Sequence, residues 1–391
     1  MLRFHHLLFS ALLCTAQLAC VQAAPVPAFT NGELQTIQSL GPWPPPRRPD
    51  PGNRVSGQAQ AIELGRRLFR DPRMSPVGYI SCVTCHQPDR SFTDHKARAH
   101  GLADLPRNTP ALANLSQQRW FGWGGTSDSL WMASIRPMLD AREFDSDPKT
   151  IARLFERDPE LAACYRKVFH VSPRRDLQRT VVNVGKALAA YQETLVTART
   201  PFDAFRDALA RKDLAAAAAY PEAAQRGLQL FVGPAGCVAC HAGPNFSDGD
   251  FHPGPAVDAG AVSLRTAAGV DSGRLEGARI LKASPLNLLG RFNDDPTHSN
   301  ARATRSLVVQ EGMRGQYRTP GLRNVALTGP YLHDGRLERL QDALQHRSHH
   351  PAEALAPRQV EDLAAFLATL TDPYGERRPW SATRVAGTIC D

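Results

Sequence analysis

Cys82-Val83-Thr84-Cys85-His86 returns later in the chain as Cys237-Val238-Ala239-Cys240-His241. C-x-x-C-H is the attachment signature of a c-type haem. Its two thiols reach both vinyl groups of one porphyrin, and the adjoining His lies under the iron as proximal ligand. A C-x-x-C pair alone also fits a zinc site or a redox dithiol; a His directly after the second Cys, in both copies, selects haem. The repeat extends upstream. Gly65-Arg66-Arg67-Leu68-Phe69 precedes the first motif and Gly227-Leu228-Gln229-Leu230-Phe231 the second, with Gly, Leu and Phe at matching offsets. Ala59, Ile62, Leu64, Leu68 and Phe69 fall on roughly helical spacing until Asp71-Pro72 stops it. Helix, short loop and haem motif thus occur twice. This predicts a mainly α chain of two cytochrome c-like haem domains related by duplication, with long loops.

The 391 residues suffice for two or three domains, and 42% hydrophobic with 21% charged residues is an ordinary globular composition. Met1-Leu2-Arg3-Phe4, the apolar run from Leu7 to Leu13 and the small residues up to Ala23 read as a secretory signal over residues 1–23. That run is too short to span a bilayer and no longer one follows, so no transmembrane span is expected. Cys20 after Leu18-Ala19 raises a lipoprotein alternative, which Gln17 disfavours. Export fits the cysteine usage. Of eight, Cys14 and Cys20 fall at the signal and four belong to the haem motifs; Cys164 and Cys390 are left, able to pair in an oxidising compartment. Covalent haem attachment outside the cytoplasm points to the periplasm. The formal net charge of +8, with Arg scattered among acids in an exported chain, makes nucleic acid a poor partner. It suits either an acidic partner steered to a basic surface or solubility alone.

Residues 24–56, rich in Pro and Gly, read as an extended lead-in rather than core. The N-terminal haem domain is expected over 57–212, the C-terminal one over 213–376 and a tail over 377–391. Thr180 to Leu195 carries an amphipathic helical pattern in Val184, Leu188, Tyr191 and Leu195, and the Ala-rich residues 214–219 join the domains. Residues 243–277 read as loop. Asp334 is expected to cap a helix carrying Leu337, Leu340 and Leu344, and Val360 to Leu370 forms a final helix.

Further runs stand out: Arg107-Asn108-Thr109-Pro110, Trp123 with Asp128-Ser129-Leu130, Thr200-Pro201-Phe202-Asp203, and Arg318-Thr319-Pro320-Gly321-Leu322-Arg323-Asn324-Val325-Ala326-Leu327-Thr328 followed by Pro330-Tyr331-Leu332-His333-Asp334-Gly335. On these and the haem motifs the chain resembles the bacterial di-haem cytochrome c peroxidase and MauG family from about residue 57 to 372. The resemblance implies two covalent c-type haems, peroxide binding at the N-terminal one, and electrons held or supplied by the C-terminal one. It gives Glu143, six residues after Pro137, the place of the acid–base carboxylate, and Pro137 the rigid distal position. Outside that frame Glu143 reads as a surface carboxylate. The family often has Gln four residues before the Pro; here Ala133 stands there, removing an amide that could bond peroxide.

By the same resemblance His100 matches a loop His that caps the peroxidatic iron and leaves on half-reduction, with His95 a rival and a solvated His the alternative. Trp123 matches the indole between the two haems, and Asn108 a ligand of an interdomain calcium completed by the carbonyls of Thr328 and Pro330. Family members place Met or Tyr as sixth ligand of the second haem. Here that position is Arg347; His346 next to it or His350 on the same helical face is the candidate, His350 preferred, and the absence of a protein ligand is left open.

The resemblance implies a peroxidase that reduces hydrogen peroxide to water with electrons from a small cytochrome c or cupredoxin. The runner-up is a MauG-like enzyme that uses peroxide-derived high-valent haems to oxidise a partner protein, and a di-haem electron carrier is the third reading. Homodimers are common in the family.

Overall fold

The computed structural model describes residues 29–47, 49–253, 265–266, 269–346, 354–374 and 390. The signal expected over residues 1–23, with Cys14 and Cys20, lies outside them, as do Arg347 and His350. The described residues are 47% helix and 5% strand, so the mainly α expectation holds. None of the described helices is long and apolar enough to cross a membrane.

Helices α1 (Asn31–Ser39), α2 (Ala59–Leu68) and α3 (Cys82–Cys85) lead to α4 (Leu130–Leu139), α5 (Pro148–Arg157), α6 (Pro159–Phe169) and α7 (Leu177–Gln192). After them come α8 (Pro201–Ala210), α9 (Leu214–Ala218), α10 (Glu222–Val232), α11 (Arg274–Ala283), α12 (Arg302–Ser306), α13 (Leu340–Gln345) and α14 (Pro357–Ala368). The strands are fragments. β1 (Phe251–Pro253) pairs antiparallel with β4 (Gln316–Arg318), and β2 (Arg265–Thr266) with β3 (Gly269–Val270).

The duplicated Gly-x-x-Leu-Phe phrase acquires a physical reason. Gly65 in α2 lies against α7, where an added Cβ would stand 1.9 Å from Ala187 O. Gly227 in α10 lies against α14, where a Cβ would stand 1.9 Å from Asp362 O. In each half a bare backbone lets two helices touch main chain to main chain, while Leu68 and Phe69, or Phe231, enter the core. The Asp128-Ser129 pair has one local and one long-range task. Ser129 caps α4 by accepting from Met132 N, and Asp128 accepts from Leu288 N at 3.0 Å and from Thr304 Oγ1 at 2.7 Å.

Two apolar clusters result, and membership is not collinear with the sequence. One gathers α2 and α4–α7 with Leu281, Leu288 and Phe292 from far downstream. The other gathers α10 and α14 with Phe202 and Phe205 of α8 and with Ile37 and Leu40. The reading of 24–56 as extended and outside the core is therefore corrected within its described part. Thr30 caps α1 through a reciprocal box with Glu33, and Ile37, Leu40, Trp43 and Val55 are buried. A second correction concerns Asp334, which caps no helix. Leu337 is held in a bridge to Tyr331, so α13 starts only at Leu340, and Asp334 accepts from Arg336 N instead. The loop expected over 243–277 holds β1–β3 and the start of α11. Cys164 and Cys390 are joined in a disulfide, their Cα atoms 5.3 Å apart.

Candidate active site

The two motifs fold into the same small device. His86 follows α3, and its Nδ1 lies 3.0 Å from Phe92 O; Nδ1 of His241 lies 3.0 Å from Phe246 O. Both phenylalanines have left-handed backbone, with φ of 60° and 54°. An imidazole bonded to a carbonyl through Nδ1 has its tautomer and ring plane set, leaving Nε2 to ligate. The sequence reading missed these partners, although Phe92-Thr93-Asp94 and Phe246-Ser247-Asp248 repeat after the motifs as clearly as the glycine phrase repeats before them.

Cys82, Cys85 and His86 line a cavity of about 250 Å³, and Cys237, Cys240 and His241 line a second of about 270 Å³. None of the four thiols is in a disulfide. Burial pushes the Cys82 thiol up to about 12 and the Cys237 thiol up to about 11, so both are held as neutral thiols in apolar surroundings. Paired thiols, an oriented imidazole and a largely apolar cavity in each half are the donor set that a covalently tethered haem requires.

The first cavity carries a carboxyl on its wall. Pro137 and Ala133 line it from one face of α4, a turn apart, and Glu143 lines it from beyond the helix end. Burial, and secondarily the Asp140 charge, push the Glu143 carboxyl up to about 7, against the pull of Arg136 and Arg142. A carboxyl balanced near neutrality can take and return a proton. Ala133 brings no amide, but Gln118 of another segment lines the same cavity, its Oε1 buried with no partner among the described residues. Chain spacing alone does not reveal this amide, which also lines the small cavity at the junction. Arg136 also lines it, bonded to Thr126 Oγ1.

The His100 loop packs on Glu143 without placing an imidazole in the cavity. Leu102 N and Ala103 N donate to Arg142 O at 2.7 and 3.0 Å, and a Cβ on Gly101 would come within 2.8 Å of Glu143 Cα. His100 O lies 3.6 Å from Cys85 Sγ, while the ring turns to Asp104, with Nδ1 2.7 Å from Oδ1, and is 53% exposed. His95 is fixed elsewhere, its Nε2 3.0 Å from Leu327 O.

In the second half, Leu340, Ala343 and Leu344 of α13 line the cavity, but the helix ends at Gln345. His346 is already extended, with φ −69° and ψ 137°, and is not among the lining residues; Arg347 and His350 lie outside the described residues. No methionine is among the described residues that line this cavity. His333, which the sequence reading passed over as a site residue, does line it. It is buried, stacked on Tyr317 at 3.6 Å between ring centroids, and its Nε2 has no partner among the described residues.

Between the two lies a third cavity of about 110 Å³, lined by Asn108, Thr328, Pro330 and Trp123 together. The first three were singled out as oxygen donors for calcium. Asn108 spends Nδ2 on Lys96 O at 2.9 Å, leaving its amide oxygen, and Thr109 Oγ1 on the same wall is buried without a partner. Neutral oxygens of this kind fit a hard cation. Trp123 spans the junction: its Nε1 donates to Asn108 O at 2.9 Å, its carbonyl accepts from Arg318 N at 2.9 Å, and it also lines the second haem cavity.

The family model for di-haem cytochrome c peroxidases, CCP_MauG, matches residues 59–211. The methylamine utilization protein MauG of Methylorubrum extorquens is 32% identical over 80% of this chain and 78% of its own. This chain belongs to the di-haem cytochrome c peroxidase/MauG family. Another member, the cytochrome c551 peroxidase of Pseudomonas aeruginosa, is 30% identical over 80% of this chain and 79% of its own. Among solved structures, the dihaem peroxidase BthA from Burkholderia thailandensis shares the fold, with a TM-score of 0.63 at 23% identity over 83% of this chain and 87% of that one. Family membership makes the protein an oxidoreductase and implies a c-type haem at each of the two motifs.

Proposed function

We propose that the protein reduces hydrogen peroxide at its N-terminal haem, with electrons from a small periplasmic redox protein entering through the C-terminal haem. The observation that carries this is Glu143, poised near neutrality on the wall of the cavity that Cys82, Cys85 and His86 also line. Bound haem iron would supply the site where peroxide's O–O bond is cleaved. His86 would hold the metal through Nε2, its Nδ1 being tied to Phe92 O. Glu143, on the wall of the same cavity, would take a proton from peroxide and return it to the departing oxygen, which would leave as water. Gln118 and Arg136 provide polar contacts that orient the small substrate, and Pro137 keeps the wall stiff. Trp123, bonded at both ends between the cavities, is the path for electrons. Asn108, Thr328 and Pro330 would hold a calcium ion that stiffens this junction. The test is peroxide turnover with a reduced small cytochrome as donor: Glu143→Gln is expected to lower kcat at least 100-fold with haem content intact. Full activity in that variant overturns the assignment.

A second reading, oxidation of a partner protein as MauG-like enzymes perform it, is favoured by one observation: the described wall of the second cavity offers no methionine. Peroxide consumed without any reduced cytochrome, with a long-lived oxidised spectrum, would select it.

A further inference from the structure

Arg318 is the residue that neither the fold nor the proposed reaction explains. It is 6% exposed, yet its guanidinium reaches no carboxylate within ion-pair distance among the described residues. Nη1 donates to Thr319 O at 3.1 Å, and Nε is buried with no partner. Burial alone pulls this guanidinium down to about 10. The other buried arginines of the junction are provided for. Arg323 pairs with Asp203 through two 2.9 Å bonds, and Arg107 pairs with Asp271. Arg274 donates to Gly125 O at 2.9 Å and lies over the Phe251 ring. A buried charge with no counter-ion costs several kcal/mol, so the guanidinium of Arg318 calls for an anionic partner.

Its position says which anion. Arg318 lines the first haem cavity, the second haem cavity and the small cavity between them. Its place is fixed by β4, where it pairs with Phe251, and by its own amide bonded to Trp123 O at 2.9 Å. A c-type haem is tethered through its vinyl edge and carries two propionate carboxylates at the opposite edge. A guanidinium offers a planar fork of five donors, enough for two carboxylates at once.

We infer that Arg318 is a shared carboxylate site, binding a propionate of the N-terminal haem and a propionate of the C-terminal haem, so that one charge tunes both irons. This rests on each cavity receiving a haem. A cation beside both porphyrins disfavours the more positive ferric state of each, so losing it makes both haems harder to reduce.

The experiment is redox titration of the purified two-haem protein, which needs no turnover. For Arg318→Gln, the ferrous-to-ferric ratio at a fixed potential is expected to fall about tenfold at both haems, ~59 mV for a one-electron couple. Arg318→Lys keeps the charge and holds both potentials near the parent's. A two-haem Arg318→Gln protein in which either potential stays put overturns the shared site. Should Arg318→Gln not accumulate with both haems, Arg318→Lys decides. Replacing the fork by a point charge then shifts the propionate bending modes of both haems in resonance Raman spectra, and unchanged modes at either haem overturn the inference. A parent protein with fewer than two haems fails the functional reading instead.

Discussion

Glu143 shows how one residue's environment sets its chemistry. In water its carboxyl would be ionised throughout the neutral range; on the cavity wall burial brings it to about 7. As the group that accepts a proton from peroxide it must start ionised, so the rate is expected to fall as pH drops below about 7. A stopped-flow pH profile checks this, and Glu143→Gln should flatten it. The same shift acts on stability. The native state holds this proton more tightly than the unfolded chain, so the contribution is present at low pH and is lost as pH rises through about 7. Denaturant midpoints of parent and Glu143→Gln should therefore converge or cross as pH rises, not diverge in the parent's favour. Gln118 is a second residue-scale case. With Oε1 unpartnered on the cavity wall, Gln118→Ala is expected to slow peroxide capture about tenfold, the worth of one hydrogen bond, with little change in melting temperature.

At the scale of elements, the duplication is a pair of close helix crossings. A Cβ on Gly227 would collide with Asp362 O in α14, a backbone atom that no rotamer change can move. Gly227→Ala is therefore expected to push α10 and α14 apart and cost about 1–3 kcal/mol, seen as a lower urea midpoint. Gly65→Ala should do the same to α2 and α7 through Ala187 O. The phrase was visible as a repeat because both helices face the same requirement. The lead-in was misread because Pro44, Pro45 and Pro46 dominate its composition, whereas the short helix before them carries only a few apolar residues.

Across the whole molecule, motifs far apart in the chain turn out to be partners. Asp203 of the Thr-Pro-Phe-Asp run and Arg323 of the Arg-Thr-Pro-Gly-Leu-Arg run form a fully buried, two-bond ion pair. Removing one member leaves the other charged and dry, so Arg323→Met is expected to cost about 3–5 kcal/mol, measurable by denaturation. Arg107 and Asp271 tie the halves in the same way, and Asn108 N donates to His333 O at 2.9 Å across them. The disulfide joins α6 to Cys390 near the far end of the chain. Cys164→Ser is expected to lower stability by about 2–5 kcal/mol, and a reductant should erase the difference between variant and parent.

The residues alone determined the two haem motifs and the duplicated helix–loop units, because each depends on short-range spacing along the chain; the places of Glu143 and Pro137 were legible only through the family resemblance, since Glu143 by itself reads as a surface carboxylate. Only the tertiary structure decided that Gln118 lines the first cavity, that the His100 ring turns to Asp104, that His333 lines the second cavity, and that Arg318 lines both. Each of those facts joins elements distant in sequence, and such a meeting is fixed by how helices pack and which charges share a buried volume, quantities that no local spacing records.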